Sequence, residues 1–152
     1  MSESPPAAVR FYRTTGEYGC FSNFSRHSIW LDGKRWPTSE HYFQAQKFAG
    51  TPHEEEARRA KTPAQAAEIG RDRKRPLRAD WEEVKEAVML AALRAKFSQH
   101  DDLRAVLLGT GDAELVEHTA NDRYWGDGGD GTGLNRLGQL LMQVRGELRA
   151  TG

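Results

Sequence analysis

Glu40, Gln44 and Lys47 stand at intervals of four and three residues inside the stretch WPTSEHYFQAQKF, residues 36–48. A helix turns about 100° per residue, so on a helix opening near Thr38 these three share a face with Phe43, while Tyr42, Ala45 and Gln46 take the other. A carboxylate, an amide and an ammonium gathered round an aromatic ring are materials for stabilising a developing cation, directing a water molecule and holding an anion. The same residues have a plainer reading: an acid in a first turn answers the helix dipole, and Gln44 and Lys47 are simply solvated. Phe43 on that face weighs against full exposure and brings the two readings level.

The second such stretch is NDRYWGDGGDGTGLN, residues 121–135, where five glycines alternate with Asp127 and Asp130 behind Tyr124 and Trp125. Glycine lets backbone approach a ligand closely. The plainer reading is a long connection to a helix, capped by Asn135. Three stock motifs are excluded. Gly126, Gly128 and Gly131 satisfy G-x-G-x-x-G, but no β run precedes them and no helix begins at the third glycine, so the dinucleotide fingerprint fails. A calcium loop opening at Asp122, Asp127 or Asp130 needs Glu at its twelfth position, which holds Gly133, Gly138 or Leu141. His27, His41, His53, His100 and His118 are scattered without zinc spacing, and no metal site is expected.

A third stretch, GRDRKRPLR at residues 70–78, carries five basic residues. A charge run is usually a solvated face. The alternative is phosphate binding, since arginine forks match phosphate oxygens, and Arg71 and Arg78, beside helix ends, are the better placed. CFSNF, residues 20–24, mixes Phe21 and Phe24 with Ser22 and Asn23 and reads on its own as a turn.

The elements that must position these residues form a mainly α (α+β) pattern. VRFY reads as a short strand, and SIWLDGKRW as a hairpin turning at Asp32-Gly33, so the front third holds a small β element. Thr62-Pro63-Ala64-Gln65 writes the start of a helix that Gly70 ends after two turns. Asp80-Trp81-Glu82-Glu83 opens another, to about Phe97, apolar on two faces and so expected to be buried in mid-domain. Leu103, Val106 and Leu107 mark a helix ended by Gly109. The last follows Gly133, with Leu137, Leu140, Leu141, Val144 and Leu148 in one stripe.

Length and composition bound the rest. The chain of 152 residues suits a single domain, with residues 1–8 a disordered lead and residues 9–149 the folded part. Lys plus Arg equals Asp plus Glu at 22 each, so no global field draws the protein to nucleic acid or membrane. The single Cys20 excludes an internal disulfide and fits a reducing cytoplasm. No apolar run approaches a membrane span.

Taken in order, FSNF, WPTSEHYFQAQKF, GR followed by LRADWEEVKEAVM, and YWGDGGDGTGLNRLGQLLMQVR resemble the signatures of the NADAR superfamily, specifically its YbiA-like N-glycosidase branch. The likeness runs from about Phe11 to Arg145. It implies a single mainly α domain that cleaves an N-glycosidic bond between ribose and a nitrogenous base, without metal or other cofactor. Members of this branch hydrolyse ribosylamino-pyrimidine phosphates, early riboflavin-pathway intermediates, to ribose 5-phosphate; other members remove ADP-ribose from guanine. One departure is Leu134, where many relatives carry lysine, and this puts ligand preference in question.

The residues suit that chemistry. Breaking the C1′–N bond leaves an oxocarbenium-like ribosyl group, which calls for a carboxylate to stabilise charge and handle water. Glu40 is the first choice, with Asp127 as second acid. Trp125 and Trp81 offer flat surfaces for the leaving base, although the apolar stripe makes core packing an equal reading for Trp81. Asn23 and Asn135 are candidates for the base edge or ribose hydroxyls, with Ser22, Phe24, Gln44 and Gly126 beside them. Lys47, Arg71 and Arg78 would hold the phosphate. The expected partner is a small phosphorylated N-riboside; ADP-ribosylated guanine in nucleic acid and a silent nucleotide-sensing module are the alternatives.

Overall fold

The computed structural model describes residues 7–151. In chain order its elements are β1 (Ala8–Phe11), β2 (Ile29–Leu31), β3 (Lys34–Trp36), α1 (Ser39–Gln46), α2 (Pro52–Arg58), α3 (Pro63–Arg71), α4 (Trp81–Gln99), α5 (Asp101–Gly109), β4 (Glu114–Glu117) and α6 (Arg136–Thr151). The architecture is mainly α, as the sequence patterns predict. Contacts divide the chain into two units. One takes residues up to Ser22 and from Phe97 onward; the other is the continuous segment Asn23–Lys96.

In the continuous unit, β2 and β3 form an antiparallel hairpin that sets Ile29 opposite Trp36. Both turn residues lie in the left-handed region, Asp32 at φ 55° and Gly33 at φ 75°, which a two-residue turn needs to match strand twist. Trp36 donates its indole N–H to the Leu31 carbonyl at 2.9 Å and meets Tyr42 edge-on at 5.0 Å. Around these rings Ile29, Ala45, Ala57, Ala92 and Ala95 close the core. The small alanines let α1, α2 and α3 pack on one another. Each of these helices starts at a threonine whose hydroxyl accepts a backbone N–H: Thr38 from His41, Thr51 from His53 and Thr62 from Gln65. Caps of this kind contribute about 1 kcal/mol each.

Three details depart from expectation. Helix α3 does not end at Gly70 but runs through it to Arg71. Helix α4 begins at Trp81 as predicted, with the Asp80 carbonyl accepting from Glu83 and Val84 N–H, yet full burial is concentrated in its second half at Met89, Ala92, Leu93, Ala95, Lys96 and Phe97. Helix α2, which carries only Ala57 as a buried residue, had no apolar stripe to announce it.

In the other unit β1 pairs in parallel with β4, Ala8 opposite Glu114 and Phe11 opposite Glu117. The front of the chain therefore does not hold one β element: VRFY pairs with a strand near the back, and the hairpin stands in the other unit. Helix α6 packs on β4 and α5, and its predicted stripe of Leu137, Leu140, Leu141, Val144 and Leu148 is buried throughout. Phe21 bridges this core, 5.6 Å from Phe11 and 5.9 Å from Phe97 between ring centres. Residues 1–6 of the expected lead lie outside the described residues, and Ala8 already belongs to β1. Among the described residues no helix is long and apolar enough to cross a membrane.

Candidate active site

Helix α1 is buried on every side, so the polar face of its sequence is not a solvated one. Glu40 is 8% exposed. Its backbone N–H donates to the Asn23 carbonyl at 3.1 Å, and the Asn23 side-chain oxygen accepts the Ser39 hydroxyl at 2.8 Å. Asn23 also donates to the Met89 sulfur at 3.3 Å, so its side chain is engaged in fixing the first turn of α1. One turn on, the Gln44 amide donates to a Glu40 carboxylate oxygen at 2.8 Å. A carboxylate only accepts, which fixes the carboxamide with nitrogen toward Glu40 and oxygen away. That oxygen is buried and, among the described residues, has no hydrogen-bond partner.

Lys47 continues the same face. Its ammonium donates to the Gly70 carbonyl at 3.3 Å and lies 5.9 Å from the centre of the Phe43 ring and 5.8 Å from that of Trp81. Burial pushes its pKa down; the charge of Glu40 opposes this and that of Arg71 adds to it, leaving a net depression. Trp81 packs edge-on against Phe43 at 5.1 Å and also forms part of a cavity wall. That cavity, about 570 Å³, lies within the continuous unit and is lined by Lys47, Phe48, Gly70, Arg71, Arg73 and Trp81 among others. Its size suits a nucleotide-sized ligand. Glu40 is not itself in the wall; its charge bears on Lys47, which is.

Arg78 is placed differently from Arg71. It grips the Asp80 carboxylate with two nitrogens, at 2.6 and 3.1 Å, and donates to the Gln46 carbonyl at 3.3 Å. It binds the segment before α4 to the end of α1 and does not line the cavity. Arg75, which does, already pairs with Asp72 and Glu56. Phe24 is exposed.

The remaining predicted residues lie in the other unit. Ser22 is buried and closes the 3-10 turn Gly19–Phe21. Asp127, 4% exposed, accepts from the backbone N–H of Thr119 at 3.1 Å and Gly129 at 2.8 Å and faces the His118 ring at 2.7 Å. Burial alone would raise its pKa, but the His118 contact and the two amides outweigh that and hold it below the usual carboxylate range. Asn135, at φ 53°, accepts from the Glu117 N–H at 2.9 Å and donates to the Leu115 carbonyl at 2.9 Å, so both ends of its amide are occupied by β4. Gly126 has no room for a side chain, because a Cβ would fall 2.9 Å from the Asp122 carbonyl oxygen and from the Thr119 methyl. Trp125 is half-buried beside Tyr124, and its backbone N–H donates to the Asp122 carboxylate at 2.8 Å. Among the described residues no cluster of three or more His, Cys, Asp or Glu is arranged to hold a metal.

Sequence reasoning missed Arg73 and Gly70 in the cavity wall and His118 against Asp127. Of these only Arg73 left a signal, its place in the basic run of residues 70–78.

Comparison with known proteins agrees with this arrangement of motifs. The model of the NADAR domain matches residues 10–149. The chain is 61% identical over 140 residues to N-glycosidase YbiA of Escherichia coli, covering 92% of this chain and 88% of that one. It is 47% identical to an N-glycosidase of Nostoc punctiforme, covering 93% and 92%. It is 43% identical to the chloroplastic riboflavin biosynthesis protein PYRR of Zea mays, covering 94% of this chain but 25% of that longer protein. The solved NMR structure of E. coli YbiA superposes with a TM-score of 0.89 at 57% identity, over 99% of this chain and 89% of that one. With sequence, fold and motif order in agreement, the chain belongs to the NADAR domain family.

Proposed function

We propose that this protein is an N-glycosidase that hydrolyses the C1′–N bond of a phosphorylated N-riboside, a ribosylamino-pyrimidine phosphate, and releases ribose 5-phosphate. The N-glycosidase names of the E. coli and Nostoc relatives and the riboflavin biosynthesis name of the Zea mays relative support the reaction and the substrate class. The observation that carries the reading is the buried Glu40 carboxylate, held by Gln44 and coupled in charge to Lys47 on a cavity shared with Arg71, Arg73 and Trp81.

In the reaction water oxygen bonds to C1′, the C1′–N electron pair leaves with nitrogen, and a proton from water ends on the departing amine. Glu40 stabilises the positive ribosyl group, takes the water proton as the C–O bond forms and returns that proton to the departing nitrogen. Lys47, Arg71 and Arg73 hold the phosphate, and Trp81 gives the base a flat wall. Arg78 has no part in binding, being bound to Asp80. Asp127 and Asn135 hold the glycine loop in shape: a carboxyl kept ionised by three donors is a poor proton donor.

Glu40→Gln keeps the size and the oxygen facing Gln44 but removes the charge. Its kcat should fall by roughly 10²–10⁴-fold with an unchanged melting temperature. Wild-type release of ribose 5-phosphate by that variant would remove Glu40 from the chemistry. Offering ADP-ribosylated guanosine beside the pyrimidine riboside phosphate decides the substrate class, since preferential turnover of the former would overturn the proposed one.

A further inference from the structure

Gly70 is a glycine where the backbone does not ask for one. It sits within α3 and is absent from the positive-φ positions. In a helix of ordinary geometry alanine is the better residue, because glycine has more conformational freedom to lose. The reason for glycine lies across the helix contact. A Cβ at position 70 would fall 2.7 Å from Gln44 Cδ and nearer still to its side-chain oxygen, in space the Gln44 carboxamide now fills. The amide thus rests its oxygen against bare Cα and turns its nitrogen to Glu40. The unpartnered state of that oxygen is the cost of this placement. The Gly70 carbonyl also accepts from the Lys47 ammonium. A single residue of α3 therefore touches two polar residues of α1, Gln44 and Lys47.

We infer that Gly70 is a positioning residue of this glycosidase: its missing side chain seats Gln44 against Glu40, and its carbonyl holds Lys47 at the cavity wall. The catalytic half of this claim rests on the N-glycosidase reading above; the geometric half does not.

The test compares wild type, Gly70→Ala, Gln44→Ala and the double variant with a ribosylamino-pyrimidine phosphate as substrate. Gly70→Ala should lower kcat by about tenfold to a hundredfold, as for a misplaced catalytic group, with KM within about threefold of wild type. Gln44→Ala should do the same alone. In the Gln44→Ala background the further change Gly70→Ala should alter kcat by less than about twofold, because the colliding atoms are gone. Multiplying losses, a loss in KM alone, or wild-type kcat in Gly70→Ala would each overturn the inference. The geometry is read without substrate from the side-chain NH2 resonances of Gln44, which should shift in Gly70→Ala. If the wild type turns over no riboside, the functional reading falls and these resonances still decide: unchanged signals in a folded variant refute the positioning role. Should Gly70→Ala not fold, Gln44→Ala must restore folding, and failure to do so also refutes it.

Discussion

Arg71 and Arg78 carry the same charge in the same basic run and have different surroundings. Arg71 is exposed and lines the cavity; Arg78 is bound on both sides, to Asp80 and to the Gln46 carbonyl. For a phosphorylated substrate Arg71→Ala should raise KM by about tenfold, the worth of one charge-assisted hydrogen bond. Arg78→Ala should leave KM unchanged and lower stability by ~1 kcal/mol, because its carboxylate partner is half in water and such pairs are weak. Steady-state kinetics beside thermal melts separate the two, and equal KM effects would contradict the assignment. At this scale the sequence shows that the polar face of α1 is not a solvated one: Phe43 among Glu40, Gln44 and Lys47 foretold its burial. The partners of Asn23, Asp127 and Asn135 were not legible. Asn23 uses Met89, and Asn135 uses Leu115 and Glu117, contacts that exist only once distant segments meet.

Elements announced themselves wherever local chemistry decides the backbone. The Asp32-Gly33 turn, the Thr62 cap and the leucine stripe of α6 all follow from neighbours in sequence. Helix α2 starts with the same Thr-Pro pair as α3 but buries only Ala57, and β4 is four residues whose pairing partner is β1. Neither has a periodicity to read. What fixes β4 to the start of α6 is Asn135, through two side-chain bonds and a left-handed backbone. Asn135→Ala should lower unfolding free energy by roughly 2–3 kcal/mol, since it orphans two backbone groups and strains φ. Asn135→Gly should recover only the backbone share. Urea unfolding of both variants checks this; equal losses would mean that backbone strain contributes nothing.

Across the whole molecule the titratable groups predict acid sensitivity in two steps. His41 is buried, and burial lowers its pKa more than its bond to the Ala60 carbonyl raises it. As pH falls through 6.5, its ordinary value, the unfolded chain takes up a proton that the native state resists, so stability drops. Glu55 is held down to about 2, first by its hydrogen bond to Arg58, and Asp127 is also depressed. Their contributions are complete above the ordinary carboxyl range and decline as pH falls toward 2. Unfolding free energy measured from pH 8 to pH 3 should show both declines, and His41→Gln should abolish the first while leaving the second. The division into two units was invisible in the sequence because strand pairing across about a hundred residues leaves no local mark. That pairing bears on birth at the ribosome. At roughly 5–20 residues per second the first strand emerges on the order of ten seconds before its parallel mate. Meanwhile the whole of segment Asn23–Lys96 has been made and is free to form its own core. The first of these two strands is thus a nascent-chain hazard, an unsatisfied edge until its parallel mate has been made.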